Sequence, residues 1–310
     1  PFARYEALQD LVTGHLVEAV GGGLSDSARD EARSAIADAL EAILGDETLD
    51  DQMRGELLIL PSQTYLAEQM LVADPGRIFD EREGLKAWLG KALAKNFDAL
   101  YERAAAAPGG REAEAVGARK VKTLALSYIA AANPERAETL ATRQYDAADT
   151  MTDRQGALMV LSGLEGSART DRLAAFYERY RDNPLALDKW FAIQASSLHP
   201  DVVDQVKALA EHPDFTLRNP NRVRSLYMAF AGTAQGFHAS SGEGYRMIAA
   251  RILALDPITP QTAARSVPPL GRWRRMEPKR AALMKEQLER IAAAPKLSRD
   301  TYEQVTRSLG

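Results

Sequence analysis

The sequence predicts an all-α fold, an irregular superhelix of the α-solenoid, HEAT/armadillo-like kind in which antiparallel helix pairs stack on one another. Three observations carry this. Alanine, leucine, arginine and glutamate dominate the chain, and all are strong helix formers. Alternating strand patterns are almost absent, while apolar residues recur at helical spacing. Asn-Pro, Asp-Pro, His-Pro and Thr-Pro steps punctuate the chain repeatedly, each suited to ending one helix and starting the next. No fixed-period repeat is visible, which excludes a regular tetratricopeptide or ankyrin array. Short turns between helices of roughly 10–20 residues favour stacked pairs wound as a right-handed solenoid.

The elements follow in order. A stripe of Phe2, Tyr5, Leu8 and Val12 predicts a first helix from Phe2 to Val20, stopped by Gly21-Gly22-Gly23. Ser25 can cap a second, which ends at Gly45. A third is expected over Thr48–Leu60 before Pro61, and one long helix over Phe79–Ala106 before the Pro108-Gly109-Gly110 turn. Then come Glu112–Ala131, Pro134–Asp149, Thr152–Gly163, Ala168–Arg181, Asn183–Ser197 and Pro200–Glu211. The series closes with Pro220–Ala231, Gly244–Leu255, Pro260–Val267, Pro278–Ala293 and Ser298–Leu309. No linker long enough to separate two domains interrupts it, so residues 1–310 are expected to form a single domain. Pro1 followed at once by a helical stripe suggests a domain excised from a longer protein.

Composition narrows the function. The chain is 45% hydrophobic and 26% charged, as ordinary globular proteins are. Its net charge of −4 is uneven: residues 1–160 hold 17 Lys and Arg against 27 Asp and Glu, the rest 22 against 16. An acidic half and a basic half suggest a polar interaction surface and argue against a nucleic-acid partner. No run of about 20 apolar residues is present, so no membrane partner is expected. The start has no basic region followed by an apolar core, and cysteine is absent; both fit a cytoplasmic protein.

Catalytic signatures are missing. There is no H-E-x-x-H, no G-x-S-x-G, no Walker loop and no dinucleotide fingerprint. His15, His199, His212 and His238 show no metal-ligand spacing. The chain is therefore expected to hold no metal and no catalytic residue of its own.

Four constellations remain. In the helix after Asn183-Pro184, Leu187, Trp190, Phe191 and Leu198 share a face with Gln194 at its centre. A buried amide needs partners, and a tie between core helices is favoured over a ligand contact. In Asn219-Pro220-Asn221-Arg222-Val223-Arg224-Ser225, Asn219 can cap and Pro220 can start a helix. Val223, Leu226, Tyr227 and Phe230 form its buried stripe, flanked by Arg222 on one side and Arg224 on the other. Each guanidinium is expected at the boundary of core and solvent, in a salt bridge or receiving a ligand carboxylate. After Thr259-Pro260, Gln261 and Arg265 lie one turn apart on one helix face and can present an amide and a guanidinium to one ligand, or simply line a solvated face. Last, Gly271-Arg272-Trp273-Arg274-Arg275 is basic and aromatic, a pattern for cation–π packing at a turn more than for stacking on nucleic acid.

With these residues in view, the chain resembles the C-terminal helical domain of the bacterial aminopeptidase N family, zinc aminopeptidases of the gluzincin type. The resemblance rests on Asp188-Lys189-Trp190-Phe191 with Gln194-Ala195, on Phe215-Thr216, and on the Asn219–Ser225 segment. It continues through Ala229-Phe230-Ala231-Gly232, Phe237-His238-Ala239 and Gly242 to Tyr245. Leu60-Pro61-Ser62, Met151-Thr152-Asp153 and the opening Pro1–Ala7 are also similar. The resemblance implies a parent enzyme that removes N-terminal residues from peptides, its zinc bound by a catalytic domain of the same polypeptide. This part would then form a cone-like superhelix enclosing a water-filled chamber, limiting access to short peptides and completing the substrate site. It further implies that Gln261 helps cap the pocket for the substrate's first side chain, and that Arg265, Arg224 and Arg222 face the chamber, where they attract a peptide's C-terminal carboxylate. The alternative is a freestanding helical-repeat scaffold binding a protein or peptide on its concave face.

Overall fold

A computed structural model describes residues 2–310; the expectations that involve Pro1 lie outside them. Helices account for nearly all regular structure. They are α1 (Phe2–Gly21), α2 (Asp26–Leu44), α3 (Asp51–Leu57), α4 (Gln63–Glu68), α5 (Pro75–Ala92), α6 (Ala94–Ala105), α7 (Ala113–Ala132), α8 (Pro134–Ala147) and α9 (Met151–Ser162). There follow α10 (Ser167–Tyr180), α11 (Pro184–Ala195), α12 (Val202–Ala210), α13 (Pro220–Val223), α14 (Glu243–Leu255), α15 (Pro260–Arg265), α16 (Pro268–Gly271), α17 (Pro278–Ala292) and α18 (Arg299–Leu309). The fold is all-α, as the sequence predicts.

Local chemistry sets many boundaries. Ser25, Asn133, Asn183 and Asn219 accept backbone N–H groups at the starts of α2, α8, α11 and α13, each satisfying donors that a helix N-terminus leaves open. Elsewhere the boundaries differ from expectation. The third helix starts later, on an Asp50 cap, and Ser62 caps the short α4, which the Pro61 stop concealed. The long helix expected from Phe79 begins at Pro75 and breaks at Leu93 into α5 and α6. No Gly or Pro marks that break. Both sides of it bear on α7: a methyl group added at Gly90 would collide with the Tyr128 carbonyl oxygen, and the Phe97 ring stacks on Tyr128 at 4.3 Å.

The chain packs as two compact units. The first comprises the residues up to Met70 with Arg77–Arg172, the second Leu71–Gly76 with Leu173–Gly310. In the first, α7 is the central element, packed on α3, α6, α8 and α9. Its buried positions include Val121, Ala125, Leu126 and Tyr128, and the Tyr128 hydroxyl donates to the Leu58 carbonyl at 2.8 Å. Gly117 is required there: a methyl would meet the Gln52 nitrogen at 2.9 Å. Lys122 and Asp153 join α7 to α9 through a buried ion pair at 2.7 Å.

The second unit has an aromatic core of Trp190, Phe191, Phe215, Tyr227, Phe230 and Phe237. It also recruits a distant strand-like segment. Ala73 donates to the Arg275 carbonyl at 2.7 Å and accepts from Glu277 N–H at 2.9 Å, while Arg280 reaches Asp74 at 3.1 Å. Local periodicity could not reveal this pairing, because its partners lie about 200 residues apart.

Candidate functional site

The Asn219–Ser225 segment folds as α13 and then widens. The Ala229 N–H donates to the Arg224 carbonyl five residues back, so Arg224–Met228 forms one π-turn inside a longer helical run. Such widened turns insert one residue and are frequent at functional sites. Here the turn lies within the segment that carries both arginines.

The two arginines have different fates. Arg222 is buried at 5% exposure, not at the core–solvent boundary. Its Nε donates to Asp188 Oδ1 at 2.7 Å, its Nη1 donates to the Asp214 carbonyl, and its guanidinium lies 4.8 Å over the Phe191 ring. Asp188 on α11 supplies the counter-charge that makes burial of the guanidinium tolerable. Helical spacing could not identify that partner, because it sits on another helix. Arg224 is exposed, and its Nη2 donates to Asn221 Oδ1 at 3.2 Å. No carboxylate among the described residues pairs with it.

Gln194 is a core tie, the favoured sequence reading. It is buried, donates to the Trp190 carbonyl at 3.0 Å and accepts from Gln205 of α12 at 2.9 Å. Trp190 in turn donates to the Leu173 carbonyl at 2.8 Å.

On α15, Thr259 differs from expectation: its backbone carbonyl receives Ala263 N–H, but its hydroxyl makes no cap and is buried without a partner. Gln261 and Arg265 are both exposed and one turn apart, with no hydrogen bond or ion pair to any described residue. They share the face the sequence assigned them. Below them the helix is anchored. Ala263 is fully buried, and Thr301 of α18 donates to the Pro260 carbonyl at 3.5 Å. Asp256 just upstream receives Ser298 N–H at 2.7 Å; burial pushes its carboxyl up, but hydrogen bonds from Ser298 and Thr301 bring it below its ordinary value. Arg224 is carried on a different element, packed on α11 and α12, while α15 packs on α14 and α18. Helix α14 neighbours both, since its Arg251 lies 5.5 Å over the Tyr227 ring of the π-turn.

The Arg272–Arg275 cluster closes the last helix. Trp273 Nε1 donates to the Ser308 carbonyl at 2.9 Å, Arg274 donates to Ser308 and Leu309 carbonyls, and the Arg274 guanidinium stacks on Trp273 at 4.3 Å. Cationic donors at a helix C-terminus satisfy its open carbonyls and oppose its negative dipole end.

The donor set does not fit a zinc ion: the described residues contain no group of three or more His, Asp or Glu able to hold a metal. The histidines serve packing. His238 Nδ1 lies 2.8 Å from the Tyr245 hydroxyl, and burial, then Arg280 and Arg272, push the imidazole down to about 3. Burial also lowers His15 and His212, the latter packed against Tyr177, Trp190 and Phe191. No helix among the described residues is long and apolar enough to cross a membrane.

Known proteins match this architecture along its whole length. The family model described as "Domain of unknown function (DUF3458_C) ARM repeats" matches residues 1–310. Aminopeptidase N of Caulobacter vibrioides is 37% identical over 313 residues, covering 100% of this chain and 36% of the relative. Aminopeptidase N of Escherichia coli is 34% identical over 275 residues, covering 88% of this chain and 32% of the relative. The crystal structure of Legionella pneumophila aminopeptidase A in complex with aspartic acid superposes with a TM-score of 0.88 at 28% identity, over 99% of this chain and 36% of that one. The chain thus spans about a third of the length of these relatives, their C-terminal portion.

Proposed function

The chain belongs to the DUF3458_C family of ARM-repeat domains, and from that premise we propose that it is the C-terminal domain of a zinc aminopeptidase, forming one wall of a chamber in which short peptides lose their N-terminal residue. The carrying observation is the pairing of similarity to aminopeptidase N along the whole of this chain with the face of α15, where Gln261 and Arg265 are exposed and make no hydrogen bond or ion pair to any described residue. A polar pair held on an anchored helix, with every donor unspent, suits a ligand supplied from outside. In this proposal the zinc and the reacting groups lie in the catalytic domain of the same polypeptide.

Three residues carry the substrate contacts. Gln261 covers the pocket that receives the first side chain. Arg265 and Arg224 draw in the C-terminal carboxylate of the peptide, because a guanidinium offers two parallel donors to a carboxylate. Arg222, whose donors go to Asp188 and Asp214, holds the Arg224 helix on α11 and contributes to the site through position alone. A cytoplasmic location belongs to the same proposal and is checked by cell fractionation.

The test uses the full-length polypeptide. Arg265→Ala and Arg224→Ala are expected to raise KM about tenfold for short peptides with free C-termini, the weight of one charge-assisted hydrogen bond. Neutral aminoacyl anilides should be cleaved almost as before. Equal effects on both substrate types would remove the carboxylate role. A polypeptide without zinc-dependent peptidase activity would leave the freestanding scaffold as the better description.

A further inference from the structure

The first unit contains a cleft of about 470 Å³ between α6, α7, α8 and α9. Its size is within the range of small-molecule sites. The charges lining it fall into two groups. Lys122 pairs with Asp153, and Arg143 pairs with Glu102 at 2.8 Å, so these four answer one another. Three polar groups are left over. Arg119 donates Nη1 to the Gly110 carbonyl at 2.9 Å, has no carboxylate partner, and keeps a buried Nε without an acceptor. Asp149, exposed at the rim of the cleft, has no donor among the described residues; its Oδ2 stands where a methyl added at Gly109 would come within 3.0 Å. Gln144, only 4% exposed, donates Nε2 to the Asp153 carbonyl at 3.1 Å and leaves Oε1 buried without a donor.

One unanswered cation, one unanswered carboxylate and one orphaned amide oxygen, above a floor of small alanines, define the complement of a small zwitterion. An anion alone would leave the buried Gln144 oxygen without a donor and would meet the negative charge of Asp149, and an amine alone would leave the buried Arg119 Nε without an acceptor; a buried polar atom without a partner is costly. We propose that this cleft binds a free α-amino acid, its carboxylate on Arg119 and its ammonium on Asp149 and the Gln144 amide oxygen, with the side chain over the alanine floor. The site lies wholly within the first unit and stands whether or not α15 contacts a peptide.

Equilibrium dialysis of radiolabelled leucine against the 310-residue chain tests this, with cooperative thermal melting as the check that each sample is folded. Leucine is expected to bind at millimolar concentration, and N-acetylleucine and leucinamide to bind about ten- to a hundredfold more weakly, since each removes one charged contact. Arg119→Gln and Asp149→Asn should each weaken leucine by a similar factor, while Arg136→Gln, outside the cleft, should leave it unchanged. If the chain does not melt cooperatively, the same differences are read between full-length wild type and variants. Absence of saturable leucine binding, or equal binding of N-acetylleucine, overturns the proposal; the second outcome would mark a simple anion site.

Discussion

Two helix starts in the second unit look alike in sequence and behave oppositely. Asn219-Pro220 opens a helix whose arginine at position 222 is drawn into the core by Asp188, while Thr259-Pro260 opens one whose Gln261 and Arg265 make no hydrogen bond or ion pair to any described residue. The first region spends its polar groups on the fold. The second leaves them unspent on a helix anchored by Ala263 and Thr301. The difference teaches that residue type and helical spacing do not separate structural from ligand-binding arginines. The presence of a carboxylate on the neighbouring helix does.

The hardest way to break this comparison is to remove that carboxylate. Asp188→Ala leaves the buried Arg222 guanidinium without its counter-charge and is expected to destabilise by about 3–5 kcal/mol, read by urea unfolding with Trp190 fluorescence. Adding Arg222→Met should recover most of the loss, because burying two apolar groups avoids the stranded charge. A loss below about 1 kcal/mol for Asp188→Ala would show that Arg222 is solvated after all.

His238 provides a second interior test. Its folded pKa is depressed to about 3 from the ordinary imidazole value of about 6.5, so the unfolded chain binds the extra proton first. The stability it contributes is therefore present above the unfolded value and lost as pH falls from about 6.5 towards 3, by a few kcal/mol at most. His238→Gln should flatten the stability–pH curve in that window. An unchanged slope would assign the acid sensitivity to other groups.

The caps sharpen the contrast at smaller scale. Asn219 accepts two backbone N–H groups and Thr259 accepts none through its side chain. Asn219→Ala is expected to cost about 1 kcal/mol. Thr259→Val should be neutral or slightly stabilising, because it deletes a buried hydroxyl that has no partner. Equal losses in thermal melting would make the two starts equivalent.

Much of the fold was legible because it is local. Asparagine caps before proline fixed the starts of α8, α11 and α13, and Gln194 in an apolar stripe pointed to a buried tie. What escaped was set by tertiary contact. The break at Leu93 answers to α7, the Ala73 pairing to a segment about 200 residues away, and the π-turn to packing on α11 and α12. The site was half legible. Periodicity put Gln261 and Arg265 on one face, but nothing in the spacing told Arg222 from Arg224, since the deciding residues are Asp188 and Asp214.

The smallest expected effect is on α15 itself, and it carries the most weight for function. If Gln261 and Arg265 serve a ligand, the fold should not need them, so Gln261→Ala and Arg265→Ala should each change stability by no more than about 0.5 kcal/mol. The same substitutions in the full-length polypeptide should still alter peptide turnover, Gln261→Ala by changing the ranking among N-terminal side chains and Arg265→Ala by the preference for free C-termini. A residue that matters to turnover but not to melting is being used from outside the fold. A substitution that lowered both together would place α15 with the Asn219 helix, among the elements whose polar groups hold the chain in shape.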